Sequence, residues 1–168
     1  MALALRQLIP PLTARTPAGQ TVRAWDFKQK KNLIIAFLHT GCRGCQGFIA
    51  KLAARAAELA ERDAQALVVF AEPAAPSGEN LPAQILLATD MSGRSQRAYL
   101  GAEAFGPAGL ERIGVFVADR YGELYAQWVA RGDDGLPGAG EVLEWLGQIQ
   151  VACEECGAAS AAAEPAES

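Results

Sequence analysis

An unbroken apolar run, Leu33-Ile34-Ile35-Ala36-Phe37-Leu38, leads through His39-Thr40-Gly41 into Cys42-Arg43-Gly44-Cys45. From Gln46 the pattern changes. Phe48, Ile49, Leu52, Ala53, Ala56, Leu59 and Ala60 form one stripe at helical spacing, while Lys51, Arg55, Glu58 and Arg62 face away from it. A short run with no polar alternation is the mark of a strand buried on both faces, which requires cover above and below. The two cysteines therefore stand at a strand-to-helix junction of an α/β chain.

The remaining segments extend this order. Ala18-Gly19-Gln20 reads as a turn between short extended pieces around Leu12–Thr16 and Thr21–Trp25, a small N-terminal hairpin. Ala66–Phe70 is a second buried strand, followed by a loop from Glu72 to Pro82 rich in Pro, Gly, Ser and Asn. After Gln84–Ala88, the stretch Thr89-Asp90-Met91-Ser92-Gly93 offers a turn and an N-cap for a short helix, Arg94–Leu100. Ile113–Ala118 and Glu123–Trp128 flank the turn Asp119-Arg120-Tyr121-Gly122 as a hairpin. Glu141–Ala152 closes the chain as a helix with Val142, Leu143, Trp145, Leu146 and Ile149 on its apolar side. A mixed sheet with helices on both faces follows, in one domain over residues 1–152. Residues 153–168 are expected to form a disordered tail with a second C-x-x-C pair, Cys153 and Cys156.

Composition excludes several functions. Of 168 residues, 15 are Lys or Arg and 19 Asp or Glu, so the net charge of −4 gives no basic field for nucleic acid. With 51% hydrophobic residues but no run of about 20 apolar ones, the chain reads as globular and not membrane-spanning. The N-terminus, MALALRQLIPPL, has no Lys or Arg ahead of its apolar stretch and prolines where a signal core would continue. The expected compartment is the cytoplasm, where C-x-x-C pairs suggest redox chemistry or metal binding.

The segment Phe37 to Cys45 resembles the thioredoxin-like superfamily, in its redoxin branch of TlpA/ResA thiol-disulfide proteins and AhpC/TSA peroxiredoxins. Three further stretches carry the resemblance: Ala18–Val22 for the turn of the N-terminal hairpin, Leu86–Tyr99 for the segment into the short helix, and Val115–Leu124 for the closing hairpin. It covers roughly residues 8 to 150. It implies a thioredoxin-like three-layer sandwich, a mixed central sheet with helices on both faces and an N-terminal β-hairpin. The chain departs from the thioredoxin pattern in having Gly41 where a Trp usually precedes the first cysteine. It also has Ile113 where a cis-proline opens the later strand, and Ala36 where an Asp commonly lies beneath the dithiol.

A thiolate is the species that attacks a disulfide or peroxide. Cys42, at the N-terminal end of a helix, meets unpaired backbone N–H groups and the positive end of the helix dipole, and Arg43 adds a formal positive charge. Cys45, one turn further in, would resolve the mixed disulfide. Two cysteines that merely pack, or hold a structural metal, fit the same spacing. His39 is the only histidine and is either a proton shuttle for the dithiol or a hydrogen-bonded structural residue. A peroxidase reading needs an Arg from a distant strand, for which Arg112 is the candidate, and otherwise Arg112 is a solvated loop charge. Glu72 is a candidate acid or base at the same rim. Cys153 and Cys156 supply half of a zinc site, a redox relay or a pair with no role.

The expected function is a thiol-disulfide oxidoreductase cycling Cys42 and Cys45, with catalytic residues Cys42, Cys45, His39, Arg43 and Arg112. No organic cofactor and no metal are expected. The partners are protein or small-molecule disulfides, peroxides if the chain is a peroxidase, and a cellular thiol reductant. A thiol peroxidase using the same pair is the competing enzyme, and a non-enzymatic interaction or metal-binding module competes from a different class.

Overall fold

The computed structural model describes residues 3–73 and 80–152. The tail expected over 153–168, with Cys153 and Cys156, lies outside the described residues, as does the middle of the loop after Glu72. The chain begins with the hairpin β1 (Thr13–Arg15) and β2 (Thr21–Arg23), in which Ala14 faces Val22 and both are buried. A 3-10 turn, Ala24–Phe27, leads to β3 (Asn32–Leu38). Helices α1 (Arg43–Ala53) and α2 (Ala56–Glu61) follow, then β4 (Ala64–Phe70), β5 (Ile85–Thr89) and α3 (Arg94–Leu100). A two-residue hairpin, β6 (Phe105–Gly106) with β7 (Gly109–Leu110), precedes β8 (Ile113–Ala118) and β9 (Leu124–Ala130). A 3-10 turn, Asp133–Gly135, then enters α4, residues 139–152.

Seven strands form one mixed sheet in the order β2-β1-β5-β4-β3-β8-β9. β3 is parallel to β4, with Leu38 opposite Phe70, and antiparallel to β8, with Phe37 opposite Gly114. The hairpin joins the sheet through a single pair, Arg15 with Thr89. Alternation along β3 divides the core. Ile34, Ala36 and Leu38 share one cluster with Phe48, Leu52 and Leu59 of α1 and α2 and with Val142, Leu146 and Ile149 of α4. Leu33, Ile35 and Phe37 share the other with Tyr99 and Leu100 of α3 and with Leu12 and Phe116. Every β3 side chain is buried, as the uninterrupted apolar run requires. This is the three-layer arrangement expected from the sequence.

On the α3 face, Phe37 lies 5.0 Å from Tyr99 and 6.0 Å from Phe116 between ring centroids, and the Tyr99 hydroxyl donates to the Pro10 carbonyl at 2.6 Å. Residues 3–9 run beside β9. The Leu3 N–H donates to Gln127 Oε1 at 3.1 Å, the Arg6 N–H to the Leu124 carbonyl at 2.7 Å, and Arg6 pairs with Glu123 at 2.7 Å. The first segment of chain thus passes from one edge of the sheet, under its lower end, to β1 near the other.

Two details differ from the sequence expectation. The helix after the cysteines begins at Arg43 rather than Gln46, and it does not continue unbroken. The Ala54 N–H is shared between the Ala50 and Leu52 carbonyls, and the Arg55 N–H bonds to Leu52. That is a 3-10 tightening between α1 and α2, after which Arg55 pairs with Glu58 at 2.9 Å. The β6/β7 hairpin and the turn at Asp133–Gly135 were not anticipated from the local pattern.

Candidate dithiol site

Cys42 is the N-cap of α1, with φ −88° and ψ 121°. Its Sγ accepts the Cys45 backbone N–H at 3.1 Å, the position that a Ser or Asp oxygen takes at an ordinary N-cap. A sulfur held against a helix N-terminus by a backbone donor is in the place where negative charge is favoured. Cys42 is half-buried and Cys45 is fully buried, packed with Leu38, Phe48 and Leu52. Both thiols are free.

Burial pushes the Cys45 thiol up from 9.0 to about 12. The hydrogen bond with Cys42 adds to this, a backbone hydrogen bond from His39 opposes it, and the charges of Cys42 and Asp133 raise it further. Because the folded value lies above the unfolded one, the neutral thiol's contribution to stability is complete below pH 9.0 and is lost as pH rises toward about 12. Tyr99 is pushed up by burial as well and acts in the same direction at higher pH. We expect the denaturation midpoint to fall across this window, and to fall less steeply in Cys45→Ala. An equal slope in that variant would assign the alkaline loss elsewhere.

Cys42 opens onto a cleft of about 360 Å³ lined by Leu38, His39, Thr40, Glu72 and Leu110, among others. The parallel pairing of β3 with β4 explains why His39 and Glu72 come to it together, since each lies just beyond paired strand ends, Leu38 and Phe70. Leu110 belongs to β7, so the unanticipated small hairpin supplies part of the wall. Arg43 is exposed on the first turn of α1 and makes no ion pair among the described residues.

Arg112 is elsewhere engaged. Its guanidinium donates to the Leu100 carbonyl at 3.1 Å and to Glu103 at 3.0 Å, and it is not among the residues lining the cleft. The structure joins Cys42, His39 and Glu72 in one cleft, keeps Cys45 beneath it in the core, and ties Arg112 to the loop after α3. Ala36 shares the core cluster with Cys45, and Ile113 is fully buried at the start of β8.

One residue at the site was missed in the sequence. Asp133 Oδ2 accepts the Gly44 N–H at 3.1 Å, so a carboxylate occupies one of the free amides at the start of α1. Gly44 makes room for it: a Cβ there would come within 2.3 Å of the Asp133 carboxylate oxygen. The pair is 89 residues apart, and nothing in the spacing of the chain signals it. Among the described residues no three of His, Cys, Asp and Glu converge as ligands for a metal ion, and no helix is long and apolar enough to cross a membrane.

A dithiol at the N-terminus of the helix that follows the central strand, with a three-layer mixed sheet behind it, defines a thioredoxin-like fold. Solved structures agree. A reduced 2-Cys peroxiredoxin of Plasmodium vivax superposes with a TM-score of 0.70 at 16% identity, covering 89% of this chain and 98% of that one. AhpC of Mycobacterium tuberculosis gives 0.71 at 20% identity, covering 89% and 94%. A candidate thiol:disulfide interchange protein, DsbE, of Chlorobium tepidum gives 0.61 at 20% identity, covering 90% and 98%. At these identities the likeness is one of fold. No protein-family model and no curated protein sequence matches the chain.

Proposed function

We propose that the chain is a thiol-disulfide oxidoreductase in which Cys42 attacks and Cys45 resolves. The observation that carries this reading is the 3.1 Å hydrogen bond from the Cys45 N–H to a half-exposed Cys42 sulfur, with the second thiol buried directly behind it. The Cys42 thiolate attacks one sulfur of a substrate disulfide, forming a mixed disulfide and releasing the other half as a thiolate. Cys45 then loses its proton and attacks Cys42 Sγ, expelling the second thiolate and leaving a Cys42–Cys45 disulfide. Two electrons pass to the substrate, and a cellular dithiol returns them.

The high Cys45 value suits this order. Part of the rise comes from the Cys42 hydrogen bond and charge, and that part vanishes once Cys42 is bound in a mixed disulfide. Resolution is thereby eased only after attack has occurred. In this reading His39, which lines the cleft beside Cys42, carries the Cys45 proton to solvent, and Arg43 offers positive charge to the incoming disulfide. A reducing compartment such as the cytoplasm suits a dithiol that rests reduced.

The test is a Cys45→Ser variant treated with glutathione disulfide. One glutathione should remain on Cys42, while the wild type should release it. A Cys42 that takes no adduct would leave the non-enzymatic module as the better reading.

A peroxidase reading is favoured by the fold of the two peroxiredoxin neighbours. In it the Cys42 thiolate attacks a peroxide oxygen, giving a sulfenic acid and an alcohol or water, and Cys45 condenses with the sulfenic acid to expel water. Arg112, bound to Leu100 and Glu103, is not in place to stabilise the departing oxygen. We therefore expect slow peroxide turnover beside measurable disulfide reduction. A peroxide rate constant near 10⁶ M⁻¹s⁻¹, on the general enzymatic range of roughly 10⁴–10⁸, would reverse the two readings.

Asp133 sets the reactivity of the site in this proposal. A negative charge at the helix N-terminus opposes a thiolate at the same end, so Asp133→Asn should speed Cys42 alkylation at fixed neutral pH about two- to fivefold, in line with charge effects of ~0.3–1 kcal/mol at helix ends. Added salt should shrink the difference. Gly44→Ala, which displaces the carboxylate, should act in the same direction. A slower Cys42 in both variants would show that Asp133 assists the thiolate instead.

A further inference from the structure

Away from the dithiol, where β3 begins and the 119–122 turn joins β8 to β9, the chain encloses a cavity of about 270 Å³. Its walls include Leu12, Phe27 and Leu33, the first and last of them nearly fully buried. Trp25 and Tyr121 line the same cavity and are 68% and 53% exposed, so two large rings stand open to solvent at one site. Apolar surface left open in a concave site is the ordinary mark of a place that something covers.

The charge around this cavity runs against that of the chain. Arg23, Lys28, Lys31 and Arg120 all line it, although the chain as a whole carries −4. Lys31 is paired with Asp63 at 3.0 Å, but Arg23 and Lys28 have no acidic partner among the described residues. The Lys28 ammonium sits 3.7 Å above the Trp25 ring, which holds a cation at the opening. Arg120 reaches Asp63 only at 3.8 Å, and its buried Nε–H has no hydrogen-bond acceptor. The one acidic side chain of the wall is Asp119, whose Oδ1 accepts the Tyr121 and Glu123 N–H groups at 2.9 Å each and so is held within the turn. Two cations without an ion-pair partner, Arg23 and Lys28, thus line an apolar cavity beside Lys31 and Arg120, against a single carboxylate, Asp119, in the wall.

We propose that this cavity binds a small amphipathic carboxylate, with its aliphatic or aryl body against Leu12, Phe27 and Leu33 and its carboxylate at Arg120 and Lys28. The apolar walls disfavour free phosphate or a sugar phosphate, which would leave them uncovered. The cationic rim disfavours neutral hydrocarbons and ammonium amphiphiles, since an anion gains charge-assisted hydrogen bonds that they cannot make. The site is separate from the dithiol cleft and does not depend on the redox reading.

The test is a titration of the full chain, followed by amide and indole NMR, with octanoate, octanol and octyltrimethylammonium, each below self-association. Octanoate should give saturable shifts at the Trp25 indole and the Gly122 amide, with affinity at least about tenfold above octanol, a gap of about 1.4 kcal/mol. The ammonium compound should give none. Lys28→Gln and Arg120→Gln should each weaken octanoate and leave octanol unchanged. Lys28 is at the cavity mouth, so its removal tests the charge even if Arg120→Gln disturbs the turn. Equal affinity for octanol, octanoate binding insensitive to both substitutions, or shifts confined to the His39–Cys42 cleft would overturn the proposal. So would flotation with phosphatidylglycerol vesicles in the absence of any response to free octanoate, which would make the surface a membrane contact.

Discussion

Cys42→Ser is expected to bring reduction of insulin or a small model disulfide, driven by a dithiol reductant, down to the uncatalysed background. A hydroxyl at the α1 N-cap still accepts the Cys45 N–H, so the fold and the cap survive while the proposed nucleophile is lost. Cys45→Ser differs in kind. It should complete the first exchange once and stop with one substrate half on Cys42, because the buried partner proposed to close the cycle is gone. The two variants together separate attack from resolution, which an activity loss in either alone would not. Full turnover by Cys42→Ser would place the nucleophile at Cys45 or in the second pair, Cys153 and Cys156, and would undo the proposed order.

Phe37→Ala should lower the unfolding free energy by about 3–5 kcal/mol, the usual loss for truncating a fully buried aromatic. Phe37 has no exposed surface, meets two rings at 5.0 and 6.0 Å, and stands opposite Gly114 in β8. Collapse into the gap is hindered from that side, for even a methyl added at Gly114 would come within 2.8 Å of Leu100 and 2.9 Å of the Trp128 carbonyl. Urea denaturation measures the effect. Val129→Ala, at a position on β9 with 37% exposure, serves as the control and should change stability far less. A loss below about 1 kcal/mol for Phe37→Ala would mean that the α3 face repacks freely, contrary to the close ring contacts.

The parts of this fold that could be read in the sequence are those whose cause is local. Leu33–Leu38 reads as a strand covered on both faces, Ile113–Ala118 is closed by the turn after it and Arg94–Leu100 is opened by the turn before it, so all three appear where the pattern puts them. The place of Cys42 at a helix start also followed from neighbouring residues. What escaped was set by distant chain. The β6/β7 hairpin has two residues per strand, too few to show alternation. Asp133 reaches Gly44 across 89 residues, and no period links a carboxylate in one turn to an amide in another. Arg112 could be aligned with a family position, but its commitment to the Leu100 carbonyl and Glu103 depends on the loop after α3, whose path has no sequence signature.

The passage of residues 3–9 along β9 also bears on how the protein is made. Leu3 is held by Gln127 and Arg6 by Glu123 and Leu124, partners that lie 117 or more positions later. On the ribosome residues 3–9 emerge before the strand they dock on, and they stay without their partners until β9 has been synthesised. Residues 3–9 are therefore among the last parts of the domain to be placed. A nascent chain stalled before residue 123 would present Leu3 and Ile9 to proteases and chaperones, whereas the finished domain packs both against its core and fastens the segment to the sheet edge.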